Sequence, residues 1–239
     1  MTDPLALTGE RTLPDVPEEN YWYRRHVAAY RFASRYARGR VLEVGCGEGY
    51  GAAMLAERAA TFGLEYDTRV AAHAASRYPA VRVAVADACR LPVRESAFDA
   101  VVALQVLEHL HCAERFLTAC RRALAPGGTL VLSTPNRTTF SPQGTRNPFH
   151  VHEYTADELD GLARTAFGDV RLLGLRHGAA LRTRERLGGG SLPAALIEHG
   201  YQGLSRPARA LAGTVRERDF RVSSRRVERS LDLLAVCRP

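Results

Sequence analysis

Short apolar runs alternate with longer amphipathic runs through the middle of the chain. The apolar runs are too short for helices and are rich in β-branched residues, which indicates strands. They predict strands at 41–44, 61–65, 81–85, 100–104 and 129–133, and the runs between them predict helices at 50–59, 68–77 and 112–124. Because strands that are apolar on both faces must be covered on both faces, the alternation predicts an α/β fold with a parallel sheet between two layers of helices.

The two flanks of this region show other patterns. Prolines at positions 4, 14 and 17 disfavour helix before Tyr21, and the apolar spacing then predicts a helix to Tyr36. Downstream, Thr155 and Glu158 form a capping box at the start of a helix that is predicted to end at Ala166. A strand at 170–175 and a last strand at 231–236 complete the predicted elements.

These elements predict a single domain that spans residues 1–239. Glycines and prolines interrupt the stretch between the last two strands, which indicates an excursion over the carboxyl edge of the sheet. We expect an N-terminal arm and helix over the cleft at 1–38, a core at 39–176, a helical lid insert at 177–220 and a final strand segment at 221–239.

A glycine-rich turn, Gly45-Cys46-Gly47-Glu48-Gly49, follows the first predicted strand directly. Glycine has no Cβ, so such a turn lets the backbone approach a bound nucleotide-like ligand. Glu65 ends the next strand, twenty residues after Gly45, where a carboxylate can accept from both hydroxyls of a ribose. The turn lacks the third glycine spacing of dinucleotide sites, and no Lys-Ser/Thr follows it. The pattern therefore indicates a nucleoside without a pyrophosphate.

The order and spacing of these motifs resemble the class I S-adenosylmethionine-dependent methyltransferases over nearly the whole chain. The matching segments are 41–49, Glu65, Asp87-Ala88, 98–102, 124–128 and 129–132. The resemblance implies a Rossmann-like sheet of seven strands, mostly parallel, with an antiparallel last strand. It also implies S-adenosylmethionine (SAM) as the cofactor and S-adenosylhomocysteine (SAH) as the product. The cofactor contacts that it implies are Glu43, Gly45, Cys46, Gly47, Gly49, Glu65, Tyr66, Asp87, Ala88, Leu104 and Gln105.

Four further segments, at 9–12, 19–26, 133–136 and 147–154, are similar to an actinobacterial branch linked to methylation of glycans and secondary metabolites. We therefore expect methyl transfer to a small molecule or saccharide, at a hydroxyl. Transfer to nitrogen or carbon of a natural product, a SAM-binding partner protein without transfer activity, and RNA methylation are the alternatives. Residues 103–106 lack the Asn/Asp-Pro-Pro-Tyr-type signature that holds a base amine, which disfavours RNA.

Composition bears on partners and location. The net charge is +7, yet all 33 basic residues are arginine, and total absence of lysine indicates a GC-rich genome more than selection for phosphate contacts. A solvated arginine face in the C-terminal part is the preferred interpretation, so we expect no nucleic-acid partner. No apolar stretch is long enough to span a bilayer, so we expect a cytoplasmic protein without a membrane partner. A homodimer is possible on this sequence.

The cysteines show no Cys-x-x-Cys pair. They predict free, mostly buried thiols at Cys46, Cys89, Cys112, Cys120 and Cys237.

Methyl transfer to a hydroxyl also requires a base, and histidine is the usual one. Four histidines follow the fourth and fifth predicted strands, namely His109, His111, His150 and His152. Alternate residues of an extended loop point the same way, so His150 and His152 are both expected to face the site, with His150 preferred as the base and His109 next. The alternative is a loop pinned by histidine hydrogen bonds to backbone.

Metal binding is not expected. Related quinone-pathway methyltransferases carry Glu-x-x-Glu-His after the fourth strand, whereas this chain has Gln105 at the first position, followed by Glu108-His109. Loss of one carboxylate weakens a site for a hard cation.

The densest aromatic group is Tyr21, Trp22 and Tyr23. Aromatic faces attract cations and stack on sugars, so these rings are candidates for contact with the sulfonium or the acceptor. Packing of the first helix on the sheet is the alternative. The basic residues at 24–26 are candidates for the methionine carboxylate of the cofactor.

Overall fold

A computed structural model of the protein describes residues 12–141, 147–187 and 190–239. The predictions for residues 1–11, including most of the motif at 9–12, lie outside the described residues. The described chain forms one eight-stranded sheet. The strands are β1 (Arg40–Val44), β2 (Ala60–Glu65), β3 (Arg82–Val85), β4 (Phe98–Leu104), β5 (Leu124–Pro135), β6 (Asp169–His177), β7 (Phe220–Ser223) and β8 (Asp232–Arg238). Their order across the sheet is β3-β2-β1-β4-β5-β8-β6-β7.

Strands β1 to β5 are parallel, and β8 enters antiparallel between β5 and β6. In this register Val131 of β5 lies opposite Val236 of β8. The predicted fold class, a mostly parallel sheet with an antiparallel last strand, is confirmed. The sheet has eight strands rather than seven, because β7 pairs antiparallel with β6 at the edge. This strand is short and rich in polar residues, so it carries no apolar run that sequence reasoning detects.

Nine helices are present in the described part of the chain. They are α1 (Asn20–Ala33), α2 (Tyr50–Ala56), α3 (Thr68–Arg77), α4 (Ala113–Ala123), α5 (Arg137–Phe140), α6 (Ala156–Arg164), α7 (Ala179–Leu187), α8 (Leu192–Gly203) and α9 (Arg206–Thr214). The predicted capping box is confirmed, since the Thr155 side chain accepts from the Glu158 backbone and the Glu158 side chain accepts from Thr155. No helix among the described residues is long and apolar enough to cross a membrane.

The two faces of the sheet carry separate hydrophobic clusters. Neighbouring strand residues point to opposite faces, so Val102 packs on one side with α1 and Val101 on the other with α4. The α1 side also holds apolar residues of α7, α8 and α9. Asn20 at the start of α1 donates to the carbonyl of Ala212 in α9 at 2.8 Å. The helices of the predicted insert therefore pack beside α1.

The expectation of free cysteines is wrong for two of the five. Cys89 and Cys112 form a disulfide with a Cα–Cα distance of 5.8 Å. They are 23 residues apart in sequence, and only the fold brings them together. The remaining thiols are free and buried, as predicted, at Cys46, Cys120 and Cys237.

Candidate functional site

A cavity of about 410 Å³ lies at the carboxyl ends of β1, β2 and β4. Strands β1 and β4 are neighbours in the sheet although β2 and β3 lie between them in sequence, and such a switch point is where open α/β sheets bind ligands. We call it the main cavity. Its wall comprises Thr12, His26, Tyr30, Val44–Glu48, Tyr50, Leu64–Tyr66, Ala86–Cys89, Leu104–Val106 and His109–His111.

The glycine-rich turn forms one side of the main cavity. The backbone N–H groups of Gly45 and Cys46 donate to the carbonyl of Leu64 at 2.8 and 2.9 Å, which fixes the turn on β2. Gly45 has φ +69°, and a Cβ there would lie 2.6 Å from Val106. A Cβ at Gly47, with φ +53°, would meet no atom within 4 Å, so this glycine faces open space. Gly45, Cys46 and Gly47 line the cavity, whereas Gly49 instead precedes α2 and packs against Tyr78.

Glu65 is held in the cavity wall by main-chain donors. Its Oε2 accepts from Gly47 N–H at 2.8 Å, and its Oε1 accepts from the N–H groups of Tyr66 and Asp67 at 2.9 and 3.1 Å. These three bonds fill three of the roughly four lone-pair sites of the carboxylate, so the group is fixed in place and Oε2 keeps a free site for a ligand hydroxyl. The ring of Tyr66 is 76% exposed beside it.

Three further predicted contacts follow β3 and β4. Asp87 Oδ1 accepts from Cys89 N–H at 2.8 Å and caps a short turn that presents Ala88 to the cavity. Gln105 has φ +57°, uncommon for a non-glycine residue, and its amide donates to Ser133 Oγ at 3.0 Å. Leu104 supplies apolar surface to the cavity wall. Asp87, Ala88, Leu104 and Gln105 thus line the main cavity as the resemblance implied.

Glu43, also predicted as a cofactor contact, lies behind the wall. It is fully buried, its Oε1 accepts from the Tyr30 hydroxyl, and its Oε2 has no partner among the described residues. Burial raises the pKa of this carboxyl to about 8. Glu43 therefore does not line the cavity itself, but its hydrogen bond holds the hydroxyl of Tyr30, which is part of the wall.

Helix α1 supplies two wall residues, namely His26, a predicted candidate for the methionine carboxylate, and Tyr30, which sequence reasoning missed. His26 and Tyr30 are four residues apart, so they share one helix face. His26 Nδ1 lies 3.0 Å from the hydroxyl of Tyr50, and burial lowers the pKa of His26 to about 4. The first helix was expected over the cleft, and the i, i+4 spacing was a signal that Tyr30 shares the face of His26. The contact of this face with Tyr50 depends on tertiary packing.

The three aromatic residues predicted to contact the acceptor do not line the main cavity. Tyr21 is 1% exposed, and its hydroxyl lies 2.7 Å from His177 Nε2. Trp22 packs edge-on against Phe140, and Tyr23 packs against Tyr50. The three rings thus fix α1 to its neighbours in this structure.

Arg25, a candidate for the methionine carboxylate, is likewise committed elsewhere. It is 3% exposed, and its guanidinium donates to both carboxylate oxygens of Asp232 on β8 and to the Leu231 carbonyl. Asp232 Oδ1 also accepts from the amide of Gln105 at 3.4 Å. This buried pair therefore supports the cavity wall from behind.

The structure separates the predicted histidines. His109 lines the main cavity, and its Nδ1 lies 2.9 Å from the carbonyl of Phe149. His150 lies behind it, with ring centroids 5.1 Å apart, and its Nδ1 lies 2.8 Å from Glu153 Oε1. Burial lowers the pKa of His150, and the hydrogen bond to Glu153 opposes this. His152 has a side chain 43% exposed and packs on Tyr154, so the two loop histidines do not share a side.

Glu108, His109 and His150 form a group that could hold a metal ion, with ligand atoms all within 4.8 Å of one another. Glu108 is 1% exposed, and its Oε2 has no partner among the described residues. Burial raises the pKa of this carboxyl to about 8. The expectation that the protein needs no metal stays a prediction, and this group is where an ion would test it.

No described residue of 177–220 lines the main cavity. These helices instead surround a second cavity of about 520 Å³, with Leu192, Leu204 and Leu211 in its wall. The role of this segment as a lid stays a prediction.

The features of the main cavity fit an adenosyl ligand. A glycine without a side chain faces open space at Gly47, a fixed carboxylate at Glu65 can accept from a ribose hydroxyl, and apolar surface lies beside Asp87 for a flat base. The family model described as a methyltransferase domain matches residues 42–132, which include the turn, Glu65 and Gln105.

Known proteins support the same interpretation. A probable SAM-dependent methyltransferase of Mycolicibacterium smegmatis is 43% identical over 242 residues, covering 97% of this chain and 94% of its own. A probable SAM-dependent methyltransferase of Mycobacterium tuberculosis is 44% identical over 243 residues, covering 97% of this chain and 89% of its own. The crystal structure of a SAM-dependent methyltransferase from Thermotoga maritima, a possible histamine N-methyltransferase, superposes with a TM-score of 0.62 over 90% of this chain and 92% of that one, at 21% identity. The chain belongs to the SAM-dependent methyltransferases.

Proposed function

We propose that the protein transfers the methyl group of SAM to a hydroxyl of a small molecule or saccharide, with His109 as the general base. The observation that carries the proposal is the position of His109 in the wall of the main cavity, with one ring nitrogen occupied by the protein. The saccharide class rests on the resemblance of the loop and N-terminal motifs to glycan-methylating relatives.

The hydrogen bond of His109 supports the tautomer that a base needs. The Phe149 carbonyl can only accept, so the Nδ1 of His109, 2.9 Å away, carries the hydrogen. In the neutral ring the lone pair is then on Nε2. A base with a fixed ring orientation is better placed to take a proton than a freely rotating one.

The loop at 147–153 supports His109 from behind. Backbone N–H groups of Val151 and His152 donate to the carbonyl of Glu108 at 2.7 and 3.1 Å, which ties the loop to the turn that carries His109. His150 packs its ring on His109 and is oriented by Glu153, itself 2% exposed. We assign His150 and Glu153 as positioning residues.

The sulfonium of bound SAM supplies an already activated methyl group, so the protein must align the acceptor and remove its proton. A sugar or aliphatic hydroxyl has a pKa far above 7, and transfer without proton removal would form a protonated ether. His109 Nε2 takes that proton as the new C–O bond forms. Glu65, Asp87 and the turn at Gly47 would hold the adenosyl part on the far side of the cavity.

An acceptor panel tests this proposal. The purified protein is incubated with SAM that carries a labelled methyl group and with mono- and oligosaccharides, aliphatic alcohols, phenols and amines, and products are located by mass spectrometry and NMR. We expect label on oxygen. Label only on nitrogen or carbon would replace the proposal by the corresponding rival, and SAH binding without transfer to any class would indicate a non-catalytic partner protein.

A further inference from the structure

The disulfide joins two segments of the main-cavity wall that follow different strands. Cys89 lies in the turn Ala88–Arg90 that follows β3, next to Asp87 and Ala88. Cys112 immediately precedes α4 and follows Leu110 and His111. Cys89 and residues 109–111 all line the cavity. One covalent bond therefore connects the expected adenine side to the turn that carries His109.

No hydrogen bond or ion pair joins residues 86–90 to residues 107–112 in the part of the chain that the structure describes. The β3 side is tied to the neighbouring strand β2 instead, since the N–H of Ala86 donates to the Glu65 carbonyl at 2.9 Å. Apart from the paired strands of the sheet and apolar packing, the Cys89–Cys112 bond is the direct link between the two sides among the described residues.

The two sulfurs differ in access. Cys89 is 7% exposed and borders the cavity, whereas Cys112 is only partly buried. The three other thiols are buried, and burial raises the pKa values of Cys46, Cys120 and Cys237, which disfavours the reactive thiolate. Cys112 is therefore the cysteine best placed to begin exchange with a small disulfide from solution.

We infer that Cys89 and Cys112 are a thiol–disulfide modification site that sets the affinity of the protein for its cofactor. The Cys112 thiolate attacks a low-molecular-weight disulfide, RSSR, and releases one RS⁻. The Cys89 thiolate then attacks the Cys112 sulfur of the mixed disulfide and releases the second. The two protons from the cysteines end on two RSH, so the chain loses two hydrogens and RSSR is reduced.

The bonded state should bind the cofactor more tightly. With the bond in place, both sides of the cavity are already at their bound separation, whereas the reduced protein must order them when the ligand enters. We expect reduction to weaken SAH binding by about threefold to tenfold. Linkage then requires SAH to favour disulfide formation, in a redox buffer of known composition, by the same factor.

The test measures SAH affinity by calorimetry on the protein oxidised with glutathione disulfide and on the same protein reduced with a phosphine, with mass spectrometry to confirm a difference of two hydrogens. Cys112→Ser should bind SAH with the affinity of the reduced protein, and this affinity should not change on treatment with glutathione disulfide. Cys120→Ala, which removes an unpaired thiol from α4, should keep the full response. SAH, not an acceptor, is the probe, so failure of the proposed hydroxyl chemistry leaves this result unaffected.

Three outcomes would overturn the inference. Equal SAH affinity in both states would make the bond a structural brace alone, and absence of the bond under oxidising conditions would remove the site. Loss of the response in Cys120→Ala would place the sensitive thiol elsewhere. The reduced wild-type protein carries no substitution, so its affinity decides the matter even if Cys112→Ser folds poorly.

Discussion

Replacing Glu65 by alanine should weaken cofactor binding more than any other single change at the ribose end of the cavity. The carboxylate is fixed by Gly47 N–H on one oxygen and by the N–H groups of Tyr66 and Asp67 on the other. The remaining lone pair on Oε2 is therefore preoriented for a ligand hydroxyl, and little ordering cost is left for binding.

The magnitude follows from the hydrogen bond to a ribose hydroxyl that the alanine variant cannot accept. A hydrogen bond to a charged group contributes about 1.5–3 kcal/mol. Glu65 is only half-buried, so water replaces part of this interaction in the variant. The net loss should be about 2 kcal/mol, which corresponds to a factor of about 30 in Kd. Glu65→Gln should lose a similar amount, since its amide NH₂ must face either the Gly47 donor or the Tyr66 and Asp67 donors.

Calorimetric titration with SAH measures this effect on both variants. Glu57→Ala is the matched control, because Glu57 is an exposed carboxylate at the end of α2 outside the main cavity. Thermal unfolding without ligand checks that each variant is folded. Affinity within twofold of the wild type in Glu65→Ala would refute the ribose assignment.

Three other predictions concern the protonation of Glu43, the need for a metal ion and the buried ion pair of Arg25 and Asp232. Burial raises the folded-state pKa of Glu43 to about 8, against an ordinary 4.5. The stability that protonated Glu43 contributes is therefore fully present below pH 4.5 and is lost as the pH rises through 8. Stability without ligand should fall over this range by up to about 1.4 kcal/mol per pH unit from this group, and Glu43→Gln should flatten the profile of denaturation free energies; an unchanged slope contradicts the assignment. Activity should survive EDTA, whereas loss with recovery by Mg²⁺ would make Glu108 and His109 metal ligands. Asp232→Ala leaves Arg25 buried and unpaired and should cost about 3–5 kcal/mol in urea denaturation, and a cost below about 1 kcal/mol would show that water reaches the pair.

The parts of the site that sequence revealed depend on local geometry. A glycine turn after an apolar strand must lie at the carboxyl end of that strand, and Gly45 and Gly47 line the main cavity there, while their contact with the cofactor stays a prediction. Glu65 ends the next strand of the sheet and therefore meets the same turn. The strand–helix alternation likewise indicated two covered faces, because residues such as Val101 and Val102 must point in opposite directions.

The parts that sequence did not reveal depend on long-range packing. Tyr30 lines the cavity because α1 docks against α2, where the Tyr30 ring leaves no room for a side chain at Gly51. Cys89 and Cys112 have no motif spacing and meet only when β3 and β4 are assembled. The loop at 147–153 is not extended as predicted, since its backbone binds the Glu108 carbonyl, and its two histidines consequently face different surroundings.

The proposed reaction depends above all on His109, and the turnover of His109→Gln with the hydroxyl acceptor found in the panel measures that dependence. We expect kcat to fall by about 10²- to 10⁴-fold, with SAH affinity within about twofold of wild type. His152→Gln, on a ring that is 43% exposed and outside the cavity, should keep near-full turnover. Near-full turnover of His109→Gln would show that another group removes the proton and that the assignment of His109 as the base is wrong.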